Sequence, residues 1–268
     1  MKAIILAAGY ATRLYPLTQN RPKGLLPIAG RPIMDWIADE IDTLDEVDET
    51  IVVSNHRFIR SFQAFARSRV RQGGRPVRVL DDGSMDDSDK LGAIGDIRFT
   101  LESLAIDDDV VIIAGDNLFT YALKDAADFF RRHGDDTILV KRVDSVDDLR
   151  RMANVEFTSD GIVTAMVEKP PEPRSPYAAF ATYFYRRDTL PLVRQYLEEG
   201  NKPDAPGHFP AWLFRRKTVR AFVFDGECFD IGTPEAYRQV QSLFSPDRPP
   251  VADSHRQATR LEIDIGKG

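Results

Sequence analysis

Residues 2–28 read KAIILAAGYATRLYPLTQNRPKGLLPI. The apolar run at 2–8 has the β-branched character of a strand buried on both faces. It ends at Ala7 or Ala8, and the chain enters a small-residue turn, Gly9-Tyr10-Ala11-Thr12, that carries Arg13. In open α/β sheets ligands gather beyond the carboxyl ends of the strands, where this loop must lie. Small residues let backbone N–H groups approach phosphate oxygens, and Arg13 offers a permanent forked cation. Lys23, presented rigidly after Pro22, is a second charge facing the same polyanion. Composition alone allows the plainer reading of a tight turn flanked by solvated cations. The spacing matches neither a Walker loop nor the GxGxxG dinucleotide fingerprint, which disfavours P-loop enzymes and NAD-dependent dehydrogenases.

Outward from this stretch, residues 50–54, 77–80 and 109–114 repeat the pattern of short strands buried on both faces. Between them lie helical stripes: Ile33, Ile37, Ile41 and Leu44 after Pro32, then Phe58, Phe62, Phe65 and Ala66. Strands alternating with helices imply parallel βαβ units. In the second half, 136–143, 153–158, 162–167, 178–185 and 219–224 read as strands, with helices near 188–199, 206–216 and 234–244. The fold class is therefore α/β, a Rossmann-like open mixed sheet with helices on both faces. One domain is expected over 1–244, in two lobes of about 1–135 and 136–244. The tail 245–268 opens SPDRPP and reads as a linker, partly disordered.

A chain of 268 residues with formal net charge −6 and no basic block is a poor nucleic-acid or anionic-membrane binder. Its one cysteine, Cys228, excludes an internal disulfide and a multi-thiolate zinc site. Cys228 reads as a small buried side chain, His133 and His208 as surface or helix-end residues, and Trp212 as either core or interface. The opening MKAIILAAG is too short for a signal peptide or a membrane span, so a cytoplasmic protein is expected.

The segment 6–28 resembles the signature of the sugar-1-phosphate nucleotidyltransferases, the group of glucose-1-phosphate thymidylyltransferase and the NDP-sugar pyrophosphorylases. Their usual form is LAGG or LAAG, then x-G-T-R-L, P-x-T and P-K-x-L-L-P, and the resemblance recurs in order to about residue 244. It implies transfer of a nucleoside monophosphate from an NTP to a sugar 1-phosphate, with Mg²⁺ as cofactor and a homo-oligomer allowed. It also implies that Ala7, Ala8, Gly9, Ala11, Thr12 and Arg13 hold the triphosphate, with Lys23 near the α-phosphate. The family's second loop glycine is Ala11 here. A methyl group is tolerable at negative φ and would crowd the phosphates otherwise.

Asp116, in AGDNLF (114–119), and Asp230, in FDIGTPEAY (229–237), stand where the family binds its catalytic magnesium, a hard ion that takes oxygen ligands. Asp116 alone reads equally as a turn or N-cap residue. In VEKPPEPRSPY (167–177), Glu168 matches the carboxylate that grips sugar hydroxyls and Lys169 the lysine that grips the sugar phosphate. The catalytic set implied is Arg13, Lys23 and Lys169, with Asn154 and Ala181 also at the sugar phosphate. Ala153, Asn154, Phe180 and Ala181 depart from the family pattern, which points to a smaller or differently shaped acceptor than glucose 1-phosphate.

Residues 79–97, VLDDGSMDDSDKLGAIGDI, correspond to base recognition, with Gly92 and Ala93 near the base plane. The resemblance favours dTTP or UTP. Asp81 and Asp82 stand where a Gln is usual, and a carboxylate only accepts hydrogen bonds. A cytidylyltransferase using CTP with a sugar or small alcohol phosphate therefore stays open, as does a catalytically weak regulatory homologue that binds nucleotide sugars.

Overall fold

A computed structural model describes residues 1–244, so the tail from residue 245 lies outside the described residues. β1 (Lys2–Leu6) runs into the 7–26 segment, which contains 3-10 turns at Thr12–Leu14 and Lys23–Leu25. A small hairpin follows, β2 (Pro27–Ile28) with β3 (Arg31–Pro32), and leads into α1 (Ile33–Asp42). Then come β4 (Glu49–Ser54), α2 (Ile59–Arg71), β5 (Val77–Asp81), α3 (Ala93–Ser103) and β6 (Val110–Ala114). β1 lies between β4 and β6, parallel to both, and β5 extends the sheet beyond β4.

Alternation along these strands divides the molecule into two cores. Ala3, Ile5, Val111 and Ile113 face one side, where α1 and α2 pack; Ile4, Val110 and Ile112 face the other, where α3 packs. All seven side chains are fully buried, which is why the runs read as continuously apolar. The strand at 77–80 differs: β5 is the sheet edge and is only half-buried, because no strand among the described residues pairs beyond it. The α2 stripe runs Phe62, Phe65, Arg69, and buried Arg69 is neutralised by Asp35, Asp39 and Asp42.

After β6 come β7 (Asn117–Phe119), α4 (Leu123–His133), β8 (Asp136–Arg142), a short α5 (Val146–Leu149), β9 (Ala153–Phe157), β10 (Val163–Glu168) and β11 (Tyr177–Tyr185). α6 (Leu190–Glu198), α7 (His208–Leu213), β12 (Val219–Val223), β13 (Cys228–Asp230) and α8 (Pro234–Leu243) complete the described chain. β11 joins the halves into one mixed sheet. Its C-terminal part pairs antiparallel with β6 while its N-terminal part pairs with β9, and β8 lines its other edge. The register slips between Phe180 and Tyr183, at the point where β11 changes neighbours. β12 adds to β8 in parallel, and β13 pairs with β7 in a separate ribbon. α4 and α8 join the first core; α6 and α7 join the second, where Trp212 packs against Tyr196 and Phe209. Cys228 is half-buried, His133 closes α4 and His208 opens α7. No helix among the described residues is long and apolar enough to cross a membrane.

Asn55, fully buried just past β4, ties this frame to the first loop. Its Nδ2 donates to the Ala8 carbonyl at 2.8 Å and its Oδ1 accepts from Phe58 N at 3.0 Å. Asn55→Ala should destabilise the protein by about 2 kcal/mol in urea titration, because it leaves both groups unsatisfied. A loss below a few tenths would show that solvent satisfies them.

Candidate active site

A cavity of about 620 Å³ opens at the carboxyl ends of β1 and β6. Parallel pairing sets Leu6 beside Ala114, so residues 7–14 and the turn after β6 must leave the sheet side by side. Gly115 N donates to Leu6 O at 2.8 Å and Ala7 N to Val53 O at 2.9 Å. The loop is thus anchored to both neighbouring strands. Residues Ala7 to Leu14 line the cavity, and among the described residues the N–H groups of Gly9, Tyr10, Ala11, Thr12 and Arg13 donate to no protein acceptor. Consecutive free donors in a tight turn form an anion cradle. Exposed Arg13 adds a cation beside it.

Ala11 has φ 47° and ψ 43°, in the left-handed region. This is the unfavourable case anticipated for its methyl group. The turn is held nonetheless, by Thr18 Oγ1 donating to Ala11 O at 2.7 Å and by packing of Ala11 against the first core.

Asp116 follows β6 and Asp230 ends β13, and the β7–β13 ribbon places Asp230 opposite Asn117. The two carboxylates converge on one cation, Lys23 Nζ, at 2.8 Å from Asp116 Oδ2 and 3.0 Å from Asp230 Oδ1. Lys23 is 9% exposed, whereas the Asp116 and Asp230 side chains are 41% and 70% exposed. Burial works against the lysine charge, but the two carboxylates outweigh it and hold the Lys23 pKa above its ordinary value.

Across the cavity, Glu168 ends β10 and stands over Gly207, where any Cβ would lie 2.1 Å from Glu168 Oε2. Burial raises the Glu168 pKa, opposed by Lys169, whose Nζ is 3.8 Å from Oε1. Lys169 itself is 58% exposed, at φ 50°, beside the cavity and not on its wall. Ala153, at the start of β9, lines it, as do Phe180 and Ala181 at the β11 irregularity, consistent with bulges that re-aim side chains beside sites.

Asn154 is not brought to the cavity. Its Nδ2 donates to the Ser175 and Tyr177 carbonyls and its Oδ1 accepts from Arg174 N and Ser175 N, so the amide is saturated as a clamp between β9 and the segment that leads from β10 into β11.

The third wall is the start of α3. Gly92, at φ 78°, packs so closely on Pro203 that a Cβ would meet its carbonyl oxygen at 2.8 Å. Asp81 is also outside the cavity: it pairs with His56 Nδ1 at 2.8 Å and accepts from Gly83 N at 2.9 Å. Two other acids of the 79–97 segment line the cavity, Asp87 and Asp96, the latter on the buried face of α3 between Ile94 and Ile97. Burial, then the adjacent Asp82 carboxylate, pushes the Asp96 pKa up to about 8. Sequence reasoning passed over Asp96, although an acid on an apolar helix face is a visible anomaly. It also passed over Asp204, which lines the cavity and pairs with Lys90 at 3.3 Å, because the 203–207 turn carries no family motif.

The family model for nucleotidyl transferases matches residues 2–245, and the chain belongs to that family. It is 29% identical to the UTP–glucose-1-phosphate uridylyltransferase AglF of Haloferax volcanii over 88% of this chain and 93% of that protein. It is 30% identical to a glucose-1-phosphate thymidylyltransferase of Neisseria gonorrhoeae over 77% and 67%. It is 26% identical to the bifunctional protein GlmU of Methanocaldococcus jannaschii over 87% and 52%. The chain spans 62% of the length of a putative mannose-1-phosphate guanyltransferase of Sulfolobus acidocaldarius and 52% of that GlmU. A UDP-glucose pyrophosphorylase complexed with UDP-glucose superposes with TM-score 0.76 at 20% identity, over 92% of this chain and 99% of that one, and shares the fold.

Two substitutions test this geometry. An unfolded aspartate loses its proton above about pH 4, whereas folded Asp96 keeps it to about pH 8. The folded state therefore loses stability as pH rises between those values. Asp96→Asn removes that loss, so its gain in folding free energy over the parent in urea titration should be small at pH 5 and larger at pH 8, reaching about 1–3 kcal/mol. A gain independent of pH would mean that Asp96 is ionised throughout. Ala11→Gly should stabilise the fold by about 1 kcal/mol in denaturant titration, by relieving left-handed backbone strain; a loss would refute the strain.

Proposed function

We propose that this chain transfers a nucleoside monophosphate from an NTP to a sugar 1-phosphate and releases pyrophosphate, with dTTP or UTP as the favoured nucleotide. One observation carries the reading: a row of free backbone donors with Arg13, a paired-carboxylate cation site and Glu168 all face one cavity. Uridylyl- and thymidylyltransferase relatives support the nucleotide. The CTP reading rested on Asp81 and Asp82; neither lines the cavity, Asp81 being engaged by His56 and Gly83 and Asp82 by Ser84. The regulatory reading rested on Ala11 and on the altered sugar end at Ala153, Phe180 and Ala181; the strained turn is nevertheless kept, and the charged set of Arg13, Lys23, Asp116 and Asp230 still lines the cavity.

The nucleotide end is the cradle. Free N–H groups of residues 9–13 and the Arg13 guanidinium take the triphosphate, and Gly92 and Ala93 border the base. Glu168 accepts from sugar hydroxyls at the opposite end. Exposed Lys169 is placed to reach a sugar phosphate at the cavity margin. Ala153, Phe180 and Ala181 narrow that end, which fits an acceptor differing in shape from glucose 1-phosphate.

Asp116 and Asp230 suit a divalent metal, Mg²⁺ in this reading. They are hard oxygen donors, they already converge on one cation, and they are exposed enough to leave room for water and phosphate oxygens. Among the described residues no third His, Cys, Asp or Glu joins them. That suits an ion held by two carboxylates and completed by substrate. When bound, the metal neutralises charge at the α-phosphate.

The rest falls to this chain's residues. A sugar-phosphate oxygen is already anionic near neutral pH, so it attacks the α-phosphorus without a general base, and pyrophosphate leaves on the opposite side. Arg13, Lys23 and, from the cavity margin, Lys169 supply positive charge along that line, and the cavity aligns the two reactants.

The test is pyrophosphate release with Mg²⁺, crossing common NTPs against sugar 1-phosphates and small alcohol phosphates. Release should require both partners and be greatest with dTTP or UTP. Arg13→Ala and Asp116→Ala should each lower it by roughly a hundredfold or more with the fold intact. Near-parental rates in either variant would remove the assigned site, and silence across the panel with retained nucleotide-sugar binding would favour the regulatory homologue.

A further inference from the structure

We propose that Lys23 is the resident cation of the Asp116–Asp230 pair and gives up that place to a divalent metal only when nucleotide phosphates arrive. The inference rests on assigning the two carboxylates to the metal. The Lys23 ammonium contacts one oxygen of each, at 2.8 and 3.0 Å, and so occupies the space that an ion held by both carboxylates would need. A divalent ion at those oxygens and an ammonium on the same atoms would repel each other at close range.

The backbone cannot relieve this conflict. Lys23 opens a 3-10 turn directly after Pro22, and Leu26 N donates back to Lys23 O at 3.0 Å. Gly24 lies so close to the sheet that a Cβ would stand 2.8 Å from the Gly115 carbonyl oxygen. Only the flexible lysine stem can move. Lys23 lines the same cavity as the unpartnered N–H groups of residues 9–13, so phosphate bound on that cradle offers the ammonium a new anion to pair with.

Nucleotide and metal binding are therefore cooperative, and the coupling is reciprocal. The nucleotide-free protein holds divalent metal weakly and takes it up together with the triphosphate. The retained ammonium also prevents Asp116 and Asp230 from repelling each other while the cavity is empty.

The experiment measures Mn²⁺ binding to the nucleotide-free chain through the electron paramagnetic resonance signal of free Mn²⁺. Lys23→Met keeps the stem length and removes the charge; Lys23→Gln is a second neutral variant in case the first folds poorly. Either should bind Mn²⁺ on the order of tenfold to a hundredfold more tightly than the parent, the usual range for coupled sites. Adding Asp116→Asn to the same variant should abolish the gain. Parental protein binding Mn²⁺ as tightly as the lysine variants would overturn the competition and leave the metal assignment standing. If parent and variants all fail to bind Mn²⁺, with or without nucleotide, the metal assignment itself falls and the competition with it.

Discussion

Parallel pairing of β1 with both β4 and β6 is the constraint from which the rest follows. It sets Leu6 between Val53 and Ala114, so three chain crossings leave the sheet along one edge. Each strand is buried on both faces, which gives none of them freedom to slide: a slip of one residue would exchange the contents of the two cores. The loop at 7–14, the turn at Gly115–Asp116 and buried Asn55 are neighbours for that reason and no other. The hydrogen bonds from Gly115 to Leu6 and from Asn55 to Ala8 then hold that proximity firmly.

The second half of the chain completes the cavity by attaching to the same sheet. β11 enters antiparallel to β6, and its N-terminal part departs to pair with β9. The irregularity between Phe180 and Tyr183 marks that change of neighbour and turns Ala181 toward the cavity. β10 then delivers Glu168 opposite the phosphate loop. The cavity is consequently electrically uneven. One end has free donors, Arg13 and a neutralised carboxylate pair, and the other has a buried acid whose pKa is raised by burial.

Much of this was legible in the sequence, for physical reasons that differ between regions. Doubly buried strands and amphipathic helices leave strong periodic signals, so β1, β4, β6, α1 and the strands of the second half lie close to their expected bounds. The three-residue ribbon β7–β13 left no periodic signal, although it carries the register that brings Asp230 to Asp116. Gly9 to Arg13, Lys23, Asp116, Glu168 and Asp230 were marked by local motif, and all of them face the cavity. Asn154 and Asp81 were placed by motif as well, and tertiary hydrogen bonding takes both elsewhere. Asp96 and Asp204 reach the cavity through the packing of α3 on the 203–207 turn, a contact between segments more than a hundred residues apart that no local pattern reports.

The proposed reaction forms a particular bond: an oxygen of the acceptor's own phosphate joins the α-phosphorus of the nucleotide. Sugar 1-phosphate labelled with ¹⁸O in its phosphate group, incubated with NTP and Mg²⁺, reports this directly by ³¹P nuclear magnetic resonance. Label in the bridge of a newly formed diphosphate, with unlabelled pyrophosphate released, is the result this reaction predicts. Label appearing in released phosphate or pyrophosphate, or no diphosphate at all, would contradict it.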